Sequence, residues 1–308
     1  MSRRTPRLLA ATLALAALTL GACAEKTSET PAPSGSPTTA AFPVTVGSLT
    51  LEQRPEKIVS LSASATEMLY AVGAGPQVTA VDDQSNYPAD APKTDLSGYQ
   101  PNAEAIAAKN PDLVVLSDDR NKIVDQLAAL KIPVYLTPAA QTLDDSYRQI
   151  TELGLLTGNA TAGADVVQRM KDDIAKISAE VPQRVQAPTY FHELGPELYT
   201  ATSKTFIGSI YALAGLENIA DAADADGKSG GYPQLSQEVI VQANPDFVFL
   251  SDVKCCQQSA ATVKARSGWS GINAVRNDQI VELDDDVASR WGPRVVDLLR
   301  AIVDATNK

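Results

Sequence analysis

A chain of 308 residues is long enough for two cores of ordinary domain size. Its 20 % charged and 44 % apolar residues are a globular composition, which excludes a disordered or fibrous chain. A net charge of -11 speaks against nucleic acid as a partner, because phosphate backbones are met by basic faces.

In chain order, Arg3, Arg4 and Arg7 precede an apolar run over 8–20 and then small residues, the pattern of a removable export signal. The run is shorter than the roughly 20 residues of a membrane span. Leu20-Gly-Ala-Cys23 resembles the lipobox of bacterial lipoproteins, in which the cysteine is acylated and becomes the new first residue. Residues 1–22 are therefore expected to be a signal peptide and Cys23 a lipid anchor, each buried methylene of its acyl chains contributing about 0.8 kcal/mol. Loss of the three arginines takes the net charge to -14. Residues 24–41, rich in Pro, Ser, Thr and Ala without apolar periodicity, make 23–43 a flexible tether.

An N-terminal lobe is expected over 44–158. Strands fall at 57–61, 78–81, 113–116 and 134–136, and a helix near 121–130. Ser64-Ala-Thr-Glu67 reads as a capping box that opens a helix stopping at Gly73. Residues 159–182 form the connection, since 161–180 has helical composition interrupted only by Gly163 and would span about 30 Å. A single stiff helix between lobes restricts their motion to small angles. A C-terminal lobe over 183–308 begins with a strand near Thr189 and a helix over 205–214 closed by Gly215. Strands at 247–250 and 279–283 and a final helix over 293–305 follow.

The most informative feature is a repeat, one copy in each half. Ala103-Glu104 leads through Asn110-Pro-Asp112 and Leu-Val-Val-Leu to Ser117-Asp118, while Gln237-Glu238 leads through Asn244-Pro-Asp246 and Phe-Val-Phe-Leu to Ser251-Asp252. Each copy reads as a short helix, a turn and a strand apolar at every position, as in a parallel sheet covered on both faces. The fold class that follows is α/β: two Rossmann-like lobes with parallel sheets, joined by one long helix, with a ligand cleft between them.

The lipobox, the repeat and the helical connection, with 57–67, Ala214-Gly-Leu-Glu-Asn218, Tyr232-Pro-Gln-Leu-Ser236 and Pro293-Arg294, are similar to the helical-backbone substrate-binding proteins of ABC importers. That branch serves iron-siderophore complexes, haem and cobalamin, and the resemblance covers about 45–305. It implies a monomeric, exported lipoprotein on the outer face of the cytoplasmic membrane, delivering a small molecule to a permease dimer with its ATPase subunits. It further implies that Glu104 and Glu238, equivalent in the repeat, dock onto basic residues of the permease; the alternative is a pair of solvated first-turn residues favoured by helix dipoles. No resident cofactor or metal is expected. A ferric siderophore stands first as ligand, a corrinoid second, haem third.

Ligands of open parallel sheets bind beyond the carboxyl ends of the strands. In or beside the corresponding loops stand Tyr87, Tyr99, Tyr199, Tyr232 and Trp291, flat rings suited to a macrocycle or catecholate, and Arg290. Two readings stand for Arg290: a fork for ligand carboxylates or phosphates, or an ion pair with Asp284, Asp285 or Asp286. Arg294 reads as structural. His192, the one histidine, could ligate haem iron or sit unligated, and alone cannot supply a zinc or manganese site. Cys255-Cys256 could form a disulfide in an oxidising compartment, remain as thiols or hold a soft metal. Catalysis is not expected, because no nucleophile elbow, Gly-x-Gly-x-x-Gly helix start or Cys-x-x-Cys is present.

Overall fold

The computed structural model describes residues 42–307, so the expected signal peptide, Cys23 and nearly all of the expected tether lie outside the described residues. A short hairpin, β1 (Val44–Val46) and β2 (Leu49–Leu51), precedes the first sheet. That sheet joins β3 (Ile58–Leu61), β4 (Val78–Val81), β5 (Leu113–Leu116) and β6 (Val134–Leu136) in the order β4-β3-β5-β6, all parallel. The second joins β7 (Thr189–Glu193), β8 (Glu217–Asn218), β9 (Phe247–Leu250) and β10 (Ile280–Glu282) in the order β8-β7-β9-β10, again parallel. The two orders are the same once each sheet is numbered from its own first strand. The fold is therefore α/β with two separate parallel sheets.

The helices of the first half are α1 (Ala63–Ala71), α2 (Ala103–Ala107), α3 (Ile123–Ala129) and α4 (Leu143–Leu156), followed by α5 (Ala160–Ala179). Those of the second are α6 (Phe206–Leu213), α7 (Gln237–Ala243), α8 (Val253–Cys256), α9 (Ala260–Lys264), α10 (Asn273–Arg276), α11 (Asp285–Ser289) and α12 (Val295–Thr306).

The repeat owes its sequence to a clamp between strands. Asn110 and Asn244 both take the left-handed conformation, at φ 51° and 49°, which asparagine tolerates better than most side chains. Each following aspartate then ties its strand to the start of the first strand of its sheet, β3 or β7. The Asp112 carboxylate accepts from the amides of Glu56 and Lys57, both at 2.9 Å, and Asp246 accepts from that of Thr189 at 2.9 Å. Their own amides donate to the carbonyls of Lys57 and Thr189 at 2.8 and 3.0 Å.

One expectation needs correction, and one element went unread. The helix after β3 opens at Ser62, whose hydroxyl accepts from the Ala65 amide at 3.3 Å, so Ser64 lies inside α1 and Glu67 is no capping residue. The 14-residue α4, with its own capping box between Thr142 and Asp145, was not expected at all. Gly154 breaks its helical pattern in sequence, and packing explains it. A Cβ there would sit 3.1 Å from the Gly163 Cα of α5, so the two helices cross where both lack side chains.

α5 buries Val166, Met170, Ile174 and Ile177 along one stripe, and each such side chain stabilises by roughly 1.5–3 kcal/mol. The stripe packs on α1, α4 and α12, so that one apolar cluster runs from β3 through α5 to α12 without a break. The connection is thus a shared core as well as a rod.

Candidate functional site

The carboxyl ends of the first sheet's strands open onto a cleft of about 730 Å³. Its floor is the start of α1 (Ser62 to Ser64) and Asp82 after β4; Gly98 and Tyr99 form one wall and Ser117, Asp118 and Arg120 after β5 another. From the second half, Asp286, Ser289, Arg290 and Trp291 close it. Gly98 is required by close approach: a Cβ would lie 2.7 Å from both the Leu61 carbonyl and the Asp82 carboxylate, so only glycine brings Tyr99 over the strand ends.

Beneath the floor runs a buried chain of hydroxyls. Thr66 donates to Ser60 at 2.9 Å and lies 2.8 Å from Ser85, which donates to Asp82 at 2.5 Å. Burial raises the pKa of Asp82, and the Ser85 bond works against that rise.

A second network crosses between the halves. Glu67 of α1, 3 % exposed, accepts from Arg290 at 2.8 Å and from Arg294 at 2.5 and 2.9 Å. Arg290 also donates to Asp286 at 2.7 Å and to the Gln84 carbonyl at 2.9 Å. Trp291 is fixed likewise, its indole donating to Gln149 at 2.9 Å and its carbonyl accepting from Ser146 at 2.5 Å. Of the two readings of Arg290, the ion pair with Asp286 is present, together with a more deeply buried one to Glu67 that sequence spacing could not reveal.

Of the expected site residues, Tyr99, Arg290 and Trp291 line this cleft. Tyr87 lines a separate cavity of about 370 Å³, with the Arg294 guanidinium 4.2 Å from its ring centroid. Tyr199 and Tyr232, each nearly half exposed, stand on the second half outside the cleft's lining. His192 is fully buried, 2.8 Å from the Tyr211 hydroxyl, and burial lowers its pKa to about 4; it is a core residue and not a cleft residue. Glu104 and Glu238 are both exposed in the first turns of α2 and α7, capped by Asn102 and Ser236. Cys255 and Cys256 are disulfide-bonded within α8, whose first amides, at Val253, Lys254 and Cys255, donate to Asp285 at 2.9–3.0 Å. Among the described residues no cluster of three or more His, Cys, Asp or Glu could hold a metal ion.

Sequence reasoning placed Arg120 only within the strand-end loop 117–120 that follows the first repeat, without singling it out.

Twin parallel sheets on a common core, with a large cleft at the strand ends, define a two-lobed solute-binding protein. The chain belongs to the periplasmic binding protein family, which it matches over residues 58–287. It is 30 % identical to an uncharacterized ABC transporter substrate-binding lipoprotein of Bacillus subtilis, over 93 % of this chain and 92 % of that protein. It is 33 % identical to a cobalamin-binding protein of Halobacterium salinarum, over 86 % of this chain and 74 % of the relative. Among solved structures it is similar to a possible iron-binding, periplasmic solute-binding protein of Staphylococcus epidermidis, with 29 % identity and a TM-score of 0.71, covering 83 % of this chain and 100 % of that one.

Proposed function

We propose that this chain is the solute-binding component of an ABC importer and that its solute is a corrinoid, held and released without chemistry. The observation that carries the reading is the cleft itself. At about 730 Å³ it is of the size that holds a large organic ligand, and it lies where open parallel sheets bind theirs. The cobalamin-binding relative, at 33 % identity, moves the corrinoid ahead of the ferric siderophore that ranked first on sequence. A ferric chelate is the second reading, favoured by the possible iron-binding protein at 29 % identity. Haem stays third.

Glu104 and Glu238, exposed and equivalent, would meet the two halves of a permease dimer. Cys23 would hold the protein, as a monomer, to the outer face of the cytoplasmic membrane, and no described helix is long and apolar enough to span it.

Native purification followed by absorbance spectra and mass spectrometry tests the ligand. We expect co-purified corrinoid, or stabilisation of about 2.7 kcal/mol by cyanocobalamin at a hundred times its Kd. A colourless protein whose Tm responds to no corrinoid or iron chelate would sink the reading.

A further inference from the structure

We infer that Arg120, stacked on Tyr99 in the cleft, is the residue that pairs with an oxyanion of the ligand, a carboxylate, a phosphate or a catecholate, in place of Arg290. The inference rests on the proposed binding role of this cleft and adds the chemical group it reads.

Two arginines line the cleft, and their surroundings differ. Arg290 is 8 % exposed, and its guanidinium is committed to Glu67, Asp286 and the Gln84 carbonyl. Turning it toward a ligand would leave Glu67 with one partner fewer in a buried site, which is costly. Arg120 is exposed, and its one ionic partner among the described residues is Asp118, 3.1 Å from Nε. The two side chains are 42 % and 55 % exposed, and a pair so placed holds its partners weakly. Asp118 stays hydrated when the guanidinium turns away, so the exchange of partners costs little.

The terminal nitrogens of Arg120 make no hydrogen bond within the described residues, and a guanidinium fork fits a carboxylate or phosphate edge-on. Its carbon lies 4.3 Å from the Tyr99 ring centroid, which orients the plane while leaving the fork available. Tyr99 is itself 73 % exposed, so ring and fork form one presented surface. The backbone behind them is specialised: Asn121 and Lys122 are both left-handed, at φ 58° and 55°, and Gln126 braces the turn by donating to the Asn121 carbonyl at 2.8 Å. Consecutive non-glycine residues in that region are held only where the surroundings demand it. The cleft also holds Asp82, Asp118 and Asp286, so an anionic group needs this cation to offset them.

The test compares the full chain with Arg120→Gln in titrations of three probe pairs: cyanocobalamin and dicyanocobinamide, haemin and its dimethyl ester, and ferric enterobactin and ferrioxamine B. Only the first member of each pair carries the nucleotide phosphate, the free propionates or the catecholate anion, respectively. For whichever anionic probe the wild type binds, Arg120→Gln is expected to raise Kd about ten- to a hundredfold and to flatten its salt dependence. The partner lacking the oxyanion should bind both proteins alike, and the pair that responds tells phosphate from carboxylate or catecholate. Equal affinity of wild type and variant for an anionic probe overturns the inference. So does an equal loss for both members of a pair, which would make Arg120 a packing residue, and so does a wild type that binds only the second members. A wild type that binds none of the six defeats the proposed function itself, and that failure is recognisable without the variant.

Discussion

The two copies of the repeat share a backbone but end in opposite surroundings. In the first, Asp118 is exposed beside Arg120 and lines the cleft. In the second, Asp252 is wholly buried, neither carboxylate oxygen has a hydrogen-bond partner, and the nearby Glu193 is held by Arg266 at 2.5 and 2.6 Å. A duplicated frame thus places chemically different aspartates at equivalent points: one lining the cleft, the other inside a core. The ion pairs divide in the same way. The Glu67 network is enclosed and joins the halves, whereas Arg300 and Glu180 pair where both are 35–42 % exposed.

The largest effect on stability is expected where that contrast is sharpest. Glu67→Ala would take the shared carboxylate from the buried Arg290 and the half-buried Arg294, at a cost of about 3–5 kcal/mol and a fall in Tm on the order of 10 °C. Glu180→Ala, by contrast, should leave Tm within error. If thermal unfolding showed the two variants alike, the cross-half network would be incidental and the shared apolar core alone would hold the halves together.

The buried aspartate of the second copy predicts a pH dependence of stability. Burial, then the charge of Glu193, push Asp252 up to about 7 from 3.8. Between those values the native state keeps a proton that the unfolded chain has lost. Asp252 therefore makes stability fall as pH rises, by up to about 1.4 kcal/mol per pH unit. His192 acts in the opposite sense: burial lowers it from 6.5 to about 4, so its contribution is lost as pH falls through that window. The slopes offset one another in the wild type between about pH 4 and 6.5. Asp252→Asn should raise Tm at pH 7 and expose the acid-side loss due to His192. Superimposable Tm profiles for wild type and Asp252→Asn from pH 4.5 to 8 would contradict this account.

The reach of sequence reasoning follows the same division between local and long-range causes. Apolar runs bounded by turns marked β4, β5, β6 and β9 at their observed limits, because a strand buried on both faces leaves a local signature. α4 went unread, and the reason for its Gly154 is a helix crossing that no single segment reveals. The role of Arg290 hangs on Glu67, 223 residues away, and the burial of His192 on Tyr211 and the helix that carries it. Five aromatic candidates could be named from loop positions, yet only Tyr99 and Trp291 line the cleft. Strand ends locate a site, but which loop side chains turn into it depends on partners from other elements.

The smallest effect on stability belongs to the residues where the two copies agree. Glu104 and Glu238 are both exposed, each in a first turn behind a side-chain cap, and the Glu238 carboxylate is held below its ordinary pKa by its own backbone amide and the Ser236 hydroxyl. Neither carboxylate makes an ion pair among the described residues, so Glu104→Ala with Glu238→Ala should leave Tm and solute affinity nearly unmoved while abolishing uptake into cells. Because the positions are equivalent and a permease dimer presents equivalent halves, the single variants should lose transport to a similar degree. Full uptake by the double variant would remove the docking role. A large imbalance between the singles would instead show that the copies, alike in backbone, have diverged in partner as Asp118 and Asp252 have diverged in surroundings.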